Sequence, residues 1–314
     1  MSATKEEART AVLRKPNGPY QVSVCQIDTD YFGDNEFRRK LPLMFFYPSE
    51  GGTEMCPYMD AAYQKSAANG QPMDNGVNTY CYLNGRLSSE ESKYPVVIYN
   101  HGLMGYQMDS TVLCADIASE GYVVVSVGHP FGAGAVTYAS GEFFADGIND
   151  KIDERKLNAL GDIWKGDIYH AIDYLQDIAK GENRSPFQSR LEMSSGVHLI
   201  GVSFGGCCSV AAALQDSRVI DAVNLDGGLF VELNPLFKDK PILTMRSYMN
   251  YKANHKLDKI GCVNVKTQRF RNVTHWEFSD GVYLSSKGKN NREWADRVST
   301  ARADRCLVFW KEHG

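Results

Sequence analysis

No apolar run in this 314-residue chain approaches the roughly 20 residues that a membrane-spanning helix needs. Nor is there an excess of positive charge. Lys and Arg number 34 against 38 Asp and Glu, for a net charge of −4 and a pI of about 6.0. That balance gives no footprint for a nucleic-acid partner. The chain has no C-x-x-C pair, no H-E-x-x-H, no P-loop and no zinc-ligand spacing, so neither a metal nor a cofactor is expected. Internal repeats and low-complexity segments are missing too. The first residues, Met1 to Arg9, lack the hydrophobic core of a signal peptide. A cytoplasmic location is therefore expected, or a secreted one if a leader has been removed.

The composition that remains, 43% hydrophobic and 23% charged, is that of an ordinary globular protein. The eight cysteines (Cys25, Cys56, Cys81, Cys114, Cys207, Cys208, Cys262, Cys306) are scattered and read as buried free thiols. The length suits one large α/β domain with insertions, or two small ones. The expectation is a single domain over 1–314, with an insertion at 48–93 and a cap-like hairpin at 130–146.

Along the chain, residues 4–14 could form a short surface helix. Tyr20–Val24 and Leu41–Tyr47 read as a hairpin turning at Asp34-Asn35. The 48–93 stretch reads as an insertion with one short helix that could cover the active site. Tyr94–Tyr99 is a continuous apolar strand, followed by a helix from Met108 to Glu120 and a second buried strand at Tyr122–Val127. Strand, helix, strand at this spacing is a parallel βαβ unit. Gly132-Ala133-Gly134-Ala135 lacks the third glycine and the following helix of a dinucleotide loop. A hairpin turning at Ser140-Gly141 fits better. Trp164, Ile168, Ala171, Ile172, Leu175 and Ala179 form one apolar stripe on a long helix. His170 falls on its opposite face and is expected in solvent. Further strands are expected at Val219–Leu225, Pro241–Met245 and Val263–Phe270, the last at a sheet edge. A terminal helix at 292–312 should bury Trp294, Val298, Ala301, Cys306, Val308 and Phe309.

Residues 198–215 organise the whole. Gly201-Val202-Ser203-Phe204-Gly205 fits the G-x-S-x-G nucleophile elbow between an apolar strand and a helix of small residues. A serine hydroxyl is a weak nucleophile and must stand exposed at a sharp turn within reach of a base. A side chain at Gly201 or Gly205 would collide with the neighbouring strand and helix. Serine chemistry also needs a base, a carboxylate to hold the base, and donors for the oxyanion. Ser203 ends one strand, Asp226 ends the next, and His275 follows the last. That chain order is the one found in α/β-hydrolases. His129 precedes the serine, His198 lies at the wrong end of the sheet, His255 sits in a polar stretch and His313 in the tail. The strand after Asp226 ends in Arg246-Ser247-Tyr248, without a carboxylate, while Asp258 lies well downstream and Asp280 past the histidine. Asp226 is thus the expected acid and Asp258 the alternative. His101-Gly102-Leu103 follows the first buried strand, so the backbone N–H groups of Leu103 and Phe204 are the expected oxyanion donors. His101 is expected to fix that loop and to take no proton from substrate. Met104, Phe131, Phe204, Leu229 and Trp276 are candidate apolar pocket walls, each equally explicable as core.

Tyr99-Asn100-His101-Gly102-Leu103, Gly201-Val202-Ser203-Phe204-Gly205-Gly206, Leu225-Asp226 and Val273-Thr274-His275 together resemble the motif set of the platelet-activating-factor acetylhydrolase family. Pro16-Asn17-Gly18-Pro19-Tyr20 and Phe46-Tyr47-Pro48 resemble its N-terminal strands, so the resemblance runs from about residue 16 to 311. An acid directly after the serine strand is distinctive of that family, and Asp226 matches it. Val202 departs from it, standing where relatives often carry histidine. The resemblance implies an α/β-hydrolase fold: a mostly parallel sheet with antiparallel N-terminal strands and helices on both faces. It also implies a calcium-independent serine esterase acting on short-acyl or oxidised-acyl phospholipids or other carboxylic esters, with a small-molecule or lipid ester as its partner. Two other functions stand as alternatives. One is a hydrolase-fold protein that binds a ligand without turning it over, against which a complete triad argues. The other is a hydrolase of peptide or lactone bonds. The chain has no propeller domain of the kind large serine peptidases add, and it has serine where lactone hydrolases use cysteine.

Overall fold

The apolar runs of the chain become the centre of a sheet. In the computed structural model, which describes residues 13–33, 37–58, 77–145, 153–248 and 255–313, Tyr94–Asn100 (β5) is buried except at Pro95, and Val123–Val127 (β6) is buried throughout. The other strands are β1 (Gln21–Phe32), β2 (Arg38–Ser49), β3 (Met55–Pro57), β4 (Asn78–Leu83), β7 (Val136–Thr137), β8 (Phe143–Phe144), β9 (Leu191–Glu192), β10 (Val197–Val202), β11 (Val219–Leu225), β12 (Ile242–Arg246) and β13 (Val265–Arg269). The main sheet runs β13-β12-β11-β10-β5-β6-β2-β1-β4-β3, with β9 paired to β5. From β6 to β13 neighbouring strands are parallel. The β1–β2 hairpin joins antiparallel to β6 through β2. This is the expected fold class.

Side chains alternate across a strand, and the alternation divides the core. Val96 and Ile98 of β5 face one apolar layer, with Leu199 of β10 and the helices α2 (Glu154–Lys180) and α3 (Ser203–Ala213). Val97 and Tyr99 face the other, with Ile200, α1 (Thr111–Ser119) and α4 (Arg292–His313). Asp153 caps the start of α2 through the N–H of Lys156, and Gly181 closes it with φ of 85°. All eight cysteines are buried and unpaired.

Several expectations need correction. The described parts of 48–93 do not cover the site: β3 and β4 extend the sheet beyond β1, at the edge opposite β13. The short helix expected there, the turn at Asp34-Asn35 and nearly all of the 4–14 helix lie outside the described residues. His170 is not free in solvent. Its ring stacks on Tyr31 at 4.6 Å and its Nε2 meets Thr29 Oγ1 at 3.0 Å. On α4, Val308 is exposed and Ala301 half-buried, because the buried stripe runs through Ala295, Val298, Arg302, Cys306, Phe309 and Trp310. The hairpin at 130–146 is observed as β7–β8, with Gly141 at its turn donating to Tyr138 O at 2.8 Å.

One polar assembly crosses the first layer. Asp167 of α2 is fully buried. It accepts from Arg39 Nη2 at 2.8 Å and Tyr31 Oη at 2.6 Å, and its Oδ2 meets His129 Nδ1 at 2.9 Å. The guanidinium and the His129 partner hold the Asp167 carboxyl below its ordinary range, against the opposing effect of burial. Removing one member of a buried charged set leaves the others uncompensated. Asp167→Ala should therefore destabilise the fold by about 3–5 kcal/mol, read from urea unfolding at neutral pH. A loss below about 1 kcal/mol would show that water replaces the carboxylate freely.

Candidate active site

The close approach of three backbones builds the site. β10 ends at Val202 and α3 begins at Ser203, which takes φ of 54°. A left-handed backbone in a non-glycine residue costs on the order of 1–3 kcal/mol and tends to be retained where function needs it. An added Cβ at Gly205 would overlap the carbonyl oxygens of Asn100 and His101, and one at Gly201 would overlap the backbone of Gly205. Glycine is therefore required at both positions for the strand, the helix and the end of β5 to meet. Asp226 follows β11 with φ of 56°. Its N–H donates to Met245 O at 2.8 Å, which ties it to β12.

His275 opens a 3-10 turn, His275–Phe278, after β13. Thr274 caps that turn reciprocally with Glu277, whose carboxylate accepts from Thr274 N at 2.6 Å. Asp280 anchors the turn from behind. Its N–H donates to Asp109 O at 2.7 Å, and its side chain accepts from Val112 N, at the start of α1, at 3.2 Å.

These loops bring the three expected residues into one line. His275 Nε2 lies 2.9 Å from Ser203 Oγ, and His275 Nδ1 lies 2.9 Å from Asp226 Oδ2. Asp226 is fully buried, whereas the His275 side chain is 39% exposed. Ser247 donates twice to the acid, from its N–H to Oδ1 at 2.7 Å and from its hydroxyl to Oδ2 at 2.9 Å. Beside them Arg246 is fully buried and donates to Gly227 O. Burial pulls its guanidinium down to about 10, against the attraction of Asp226. Asp258 lies exposed on the short helix His255–Lys259 and does not join the line.

The loop after β5 runs alongside Ser203. A Cβ at Gly102 would stand 3.2 Å from the Ser203 Cβ. Gly102 O accepts from Gly105 N at 2.9 Å, and Met104 N donates to Gly132 O at 2.9 Å. Between these two, the N–H of Leu103 has no acceptor among the described residues. The N–H of Phe204, in the first turn of α3, has none within its helix. His101 fixes the loop: its Nδ1 meets Gly102 O at 2.7 Å, and its Nε2 accepts from His129 N at 3.1 Å. His129 Nε2 in turn meets Asn100 Oδ1 at 3.0 Å, and Asn100 donates to Ser209 of α3 at 2.9 Å.

Of the candidate pocket walls, Leu229 and Phe204 are buried, while Met104, Phe131 and Trp276 are exposed by 45, 58 and 77%. A cavity of about 1580 Å³ lies behind the His275 turn, among Tyr248, Phe270, Arg271, Thr274 and Trp294; Ser203, Asp226 and His275 do not line it. Among the described residues, no three His, Cys, Asp or Glu side chains gather as metal ligands.

Sequence reasoning missed three supports of this arrangement. Ser247 was passed over because its strand end has no carboxylate, yet it is the donor that clamps the acid. The pattern Thr274-x-x-Glu277 is a capping-box signal that marks the start of the His275 turn. Asp167 falls three residues after Trp164 on the same helix face, a polar residue within an apolar stripe.

Residues 6–274 match the family model described as platelet-activating factor acetylhydrolase, isoform II. The match stops one residue short of His275. The chain is 24% identical to the platelet-activating factor acetylhydrolase of Canis lupus familiaris, over 89% of this chain and 70% of the relative. It is also 24% identical to that of Cavia porcellus, over 90% of this chain and 74% of the relative. Among solved structures, a ferulic acid esterase from Streptomyces cinnamoneus superposes with a TM-score of 0.75 at 20% identity. That alignment covers 95% of this chain and 91% of the other. At that identity the likeness is one of fold, and the fold is that of the α/β-hydrolases.

Burial, with His129 alongside, pulls the His101 imidazolium down to about 3. An unfolded histidine titrates near about 6.5. Between those values the unfolded chain binds the extra proton, so stability is lost as pH falls from about 6.5 toward 3, by up to about 1.4 kcal/mol per pH unit. Urea midpoints measured from pH 7 down to about 4.5 should fall less steeply for His101→Gln than for the wild type. Parallel slopes would mean that His101 titrates normally in the fold.

Proposed function

The chain belongs to the platelet-activating factor acetylhydrolase isoform II family, and from that premise we propose that it is a serine carboxylic ester hydrolase working through an acyl-enzyme on short-acyl esters. The observation that carries this reading is the unbroken line from Ser203 Oγ through His275 to Asp226, with 2.9 Å at each step. Ser203, His275 and Asp226 are the nucleophile, the base and the acid, and Leu103 and Phe204 are the oxyanion donors.

In the reaction, His275 Nε2 takes the Ser203 proton as the oxygen attacks the ester carbonyl. The carbonyl oxygen gathers negative charge and is held by the N–H groups of Leu103 and Phe204, one of which has no acceptor among the described residues. Each such donor is typically worth about 2.7–4 kcal/mol in the transition state. His275 then gives its proton to the leaving alcohol. Water repeats the sequence on the acyl-enzyme and restores Ser203. Asp226, held by the two Ser247 donors, keeps the proton on Nδ1 and stabilises the imidazolium.

The relatives' shared name puts an acetyl ester first among substrates, and the name of the structural neighbour puts an aromatic acyl ester next. Met104, Phe131, Leu229 and Trp276 are the pocket walls in this reading. One sheet carries every element of the site, so the reading treats 1–314 as a single hydrolase domain with β7–β8 at its cap. No helix among the described residues is long and apolar enough to cross a membrane.

Hydrolysis of p-nitrophenyl acetate tests the assignment. Ser203→Ala should lose turnover while keeping the wild-type melting temperature. Asp226→Asn should lower kcat by about 10⁴-fold, whereas Asp258→Asn should leave it unchanged. Full activity in Ser203→Ala would overturn the mechanism. Damage from Asp258→Asn, with Asp226→Asn intact, would overturn the choice of acid.

A further inference from the structure

Among the described residues, eight non-glycine residues take positive φ, and four of them lie in the site or in the loops beside it: Ser203, Asp226, Met104 at 63° and Phe131 at 64°. The first two are accounted for by the elbow and the acid. Met104 and Phe131 are not. Bulky side chains disfavour this backbone, and with about half their surface in water neither residue recovers the cost by burial. Burial does not account for a methionine and a phenylalanine here, where glycine would adopt the same backbone without strain.

Both residues are nonetheless held firmly. Their loops are stitched together by Met104 N to Gly132 O and Gly134 N to Gly105 O, each 2.9 Å. A Cβ at Gly132 would come within 2.6 Å of the Trp164 ring, and one at Gly134 within 2.5 Å of Met104 O. Arg39 Nη2 donates to Pro130 O at 2.8 Å, and its guanidinium lies 5.8 Å from the centre of the Phe131 ring. The Phe131 ring packs against that of Phe144 of β8 in a T-shaped contact, with ring centres 5.5 Å apart. The exposed side chains are thus presented by a rigid frame. Exposed apolar surface on a rigid, strained frame is the signature of a binding surface.

We propose that Met104 and Phe131, backed by Phe144, form a shelf that binds the acyl group of the ester and extends acceptance from acetyl to larger apolar acyl groups. The proposal rests on the ester-hydrolase reading above. The direction follows from the chemistry. The carbonyl oxygen lies between the Leu103 and Phe204 N–H groups. The alcohol oxygen must face His275 Nε2 to receive its proton, which turns the alcohol part toward Trp276. The acyl substituent is left the remaining side, along the loop that continues from Leu103 into Met104.

The test compares the wild type with Phe131→Gly, Met104→Gly and Phe131→Ala on p-nitrophenyl acetate, butyrate and benzoate, with the leaving group constant. The butyrate-to-acetate and benzoate-to-acetate ratios of kcat/KM should each fall by about tenfold or more. The two glycine variants should melt at or above the wild-type temperature, because glycine relieves the strained backbone. Lost selectivity with undiminished stability is a pair of outcomes that a merely structural role would not produce. Unchanged ratios, or a uniform loss on all three esters with a lowered melting temperature, would overturn the shelf. So would a change confined to a series of acetates of different alcohols, which would place the pair on the leaving-group side. The underlying reading is checked separately by wild-type turnover and by fluorophosphonate labelling of Ser203. If both fail, the hydrolase reading falls and the shelf falls with it. If both hold and the ratios do not move, only the shelf falls.

Discussion

The contact on which the arrangement depends is between backbones, at Gly205, whose missing side chain lets the first turn of α3 lie against the carbonyl oxygens of Asn100 and His101. That approach joins the end of β5 to the end of β10. It places Gly102 against Ser203 and leaves the Leu103 N–H beside the serine with no acceptor among the described residues. A methyl group there would push the loop and the helix apart, and the proposed oxyanion donors would lose their aim. Electrostatic stabilisation of an oxyanion depends on donors that need no reorganisation when charge develops. At this site, rigidity comes from packing first and from hydrogen bonds second.

The hydrogen bonds extend that rigidity outward. On one side His101, His129, Asp167 and Arg39 link the loop after β5 to α2 and to the antiparallel hairpin. On the other, Asp280 ties the His275 turn to the start of α1, and Ser247 clamps the acid from the next strand. The molecule therefore carries more than one buried Asp–His pair. Asp226–His275 reaches the surface, where the histidine is partly exposed, as the proposed proton exchange with a substrate requires. His129–Asp167 is sealed on all sides and serves as a brace. A third pair, His198–Asp221 at 2.9 Å, sits at the opposite end of β10 under Trp310. Exposure, more than residue identity, separates the pair proposed to react from the other two.

Much of this was legible in the sequence, because the site is built from strand ends and glycines. Gly201 and Gly205 encode the collision that the elbow must avoid. The ends of the strands containing Ser203 and Asp226 fall where the apolar runs stop. His275 is the histidine that follows the last strand. The supports were less visible, because their partners are distant in the chain: Asp167 lies 128 residues from Arg39, and no local pattern couples them. The strands β3 and β4 within 48–93 went unread for a related reason. A sheet edge such as β3–β4 is half in water and lacks the continuous apolar run that announces a central strand. The strain at Met104 and Phe131 has no sequence signal at all, since left-handed backbone is announced by glycine and these positions have none.

The central claim is that Ser203 carries the acyl group between the two halves of the reaction. Rapid acid quench of the enzyme during hydrolysis of a slow ester, followed by intact-mass and peptide analysis, tests it directly. The account predicts a transient mass increase equal to the acyl group, confined to the peptide containing Ser203, which appears and decays at rates consistent with turnover. Steady hydrolysis with no adduct at any time under conditions where deacylation is slowed, or an adduct on a different residue, would contradict it.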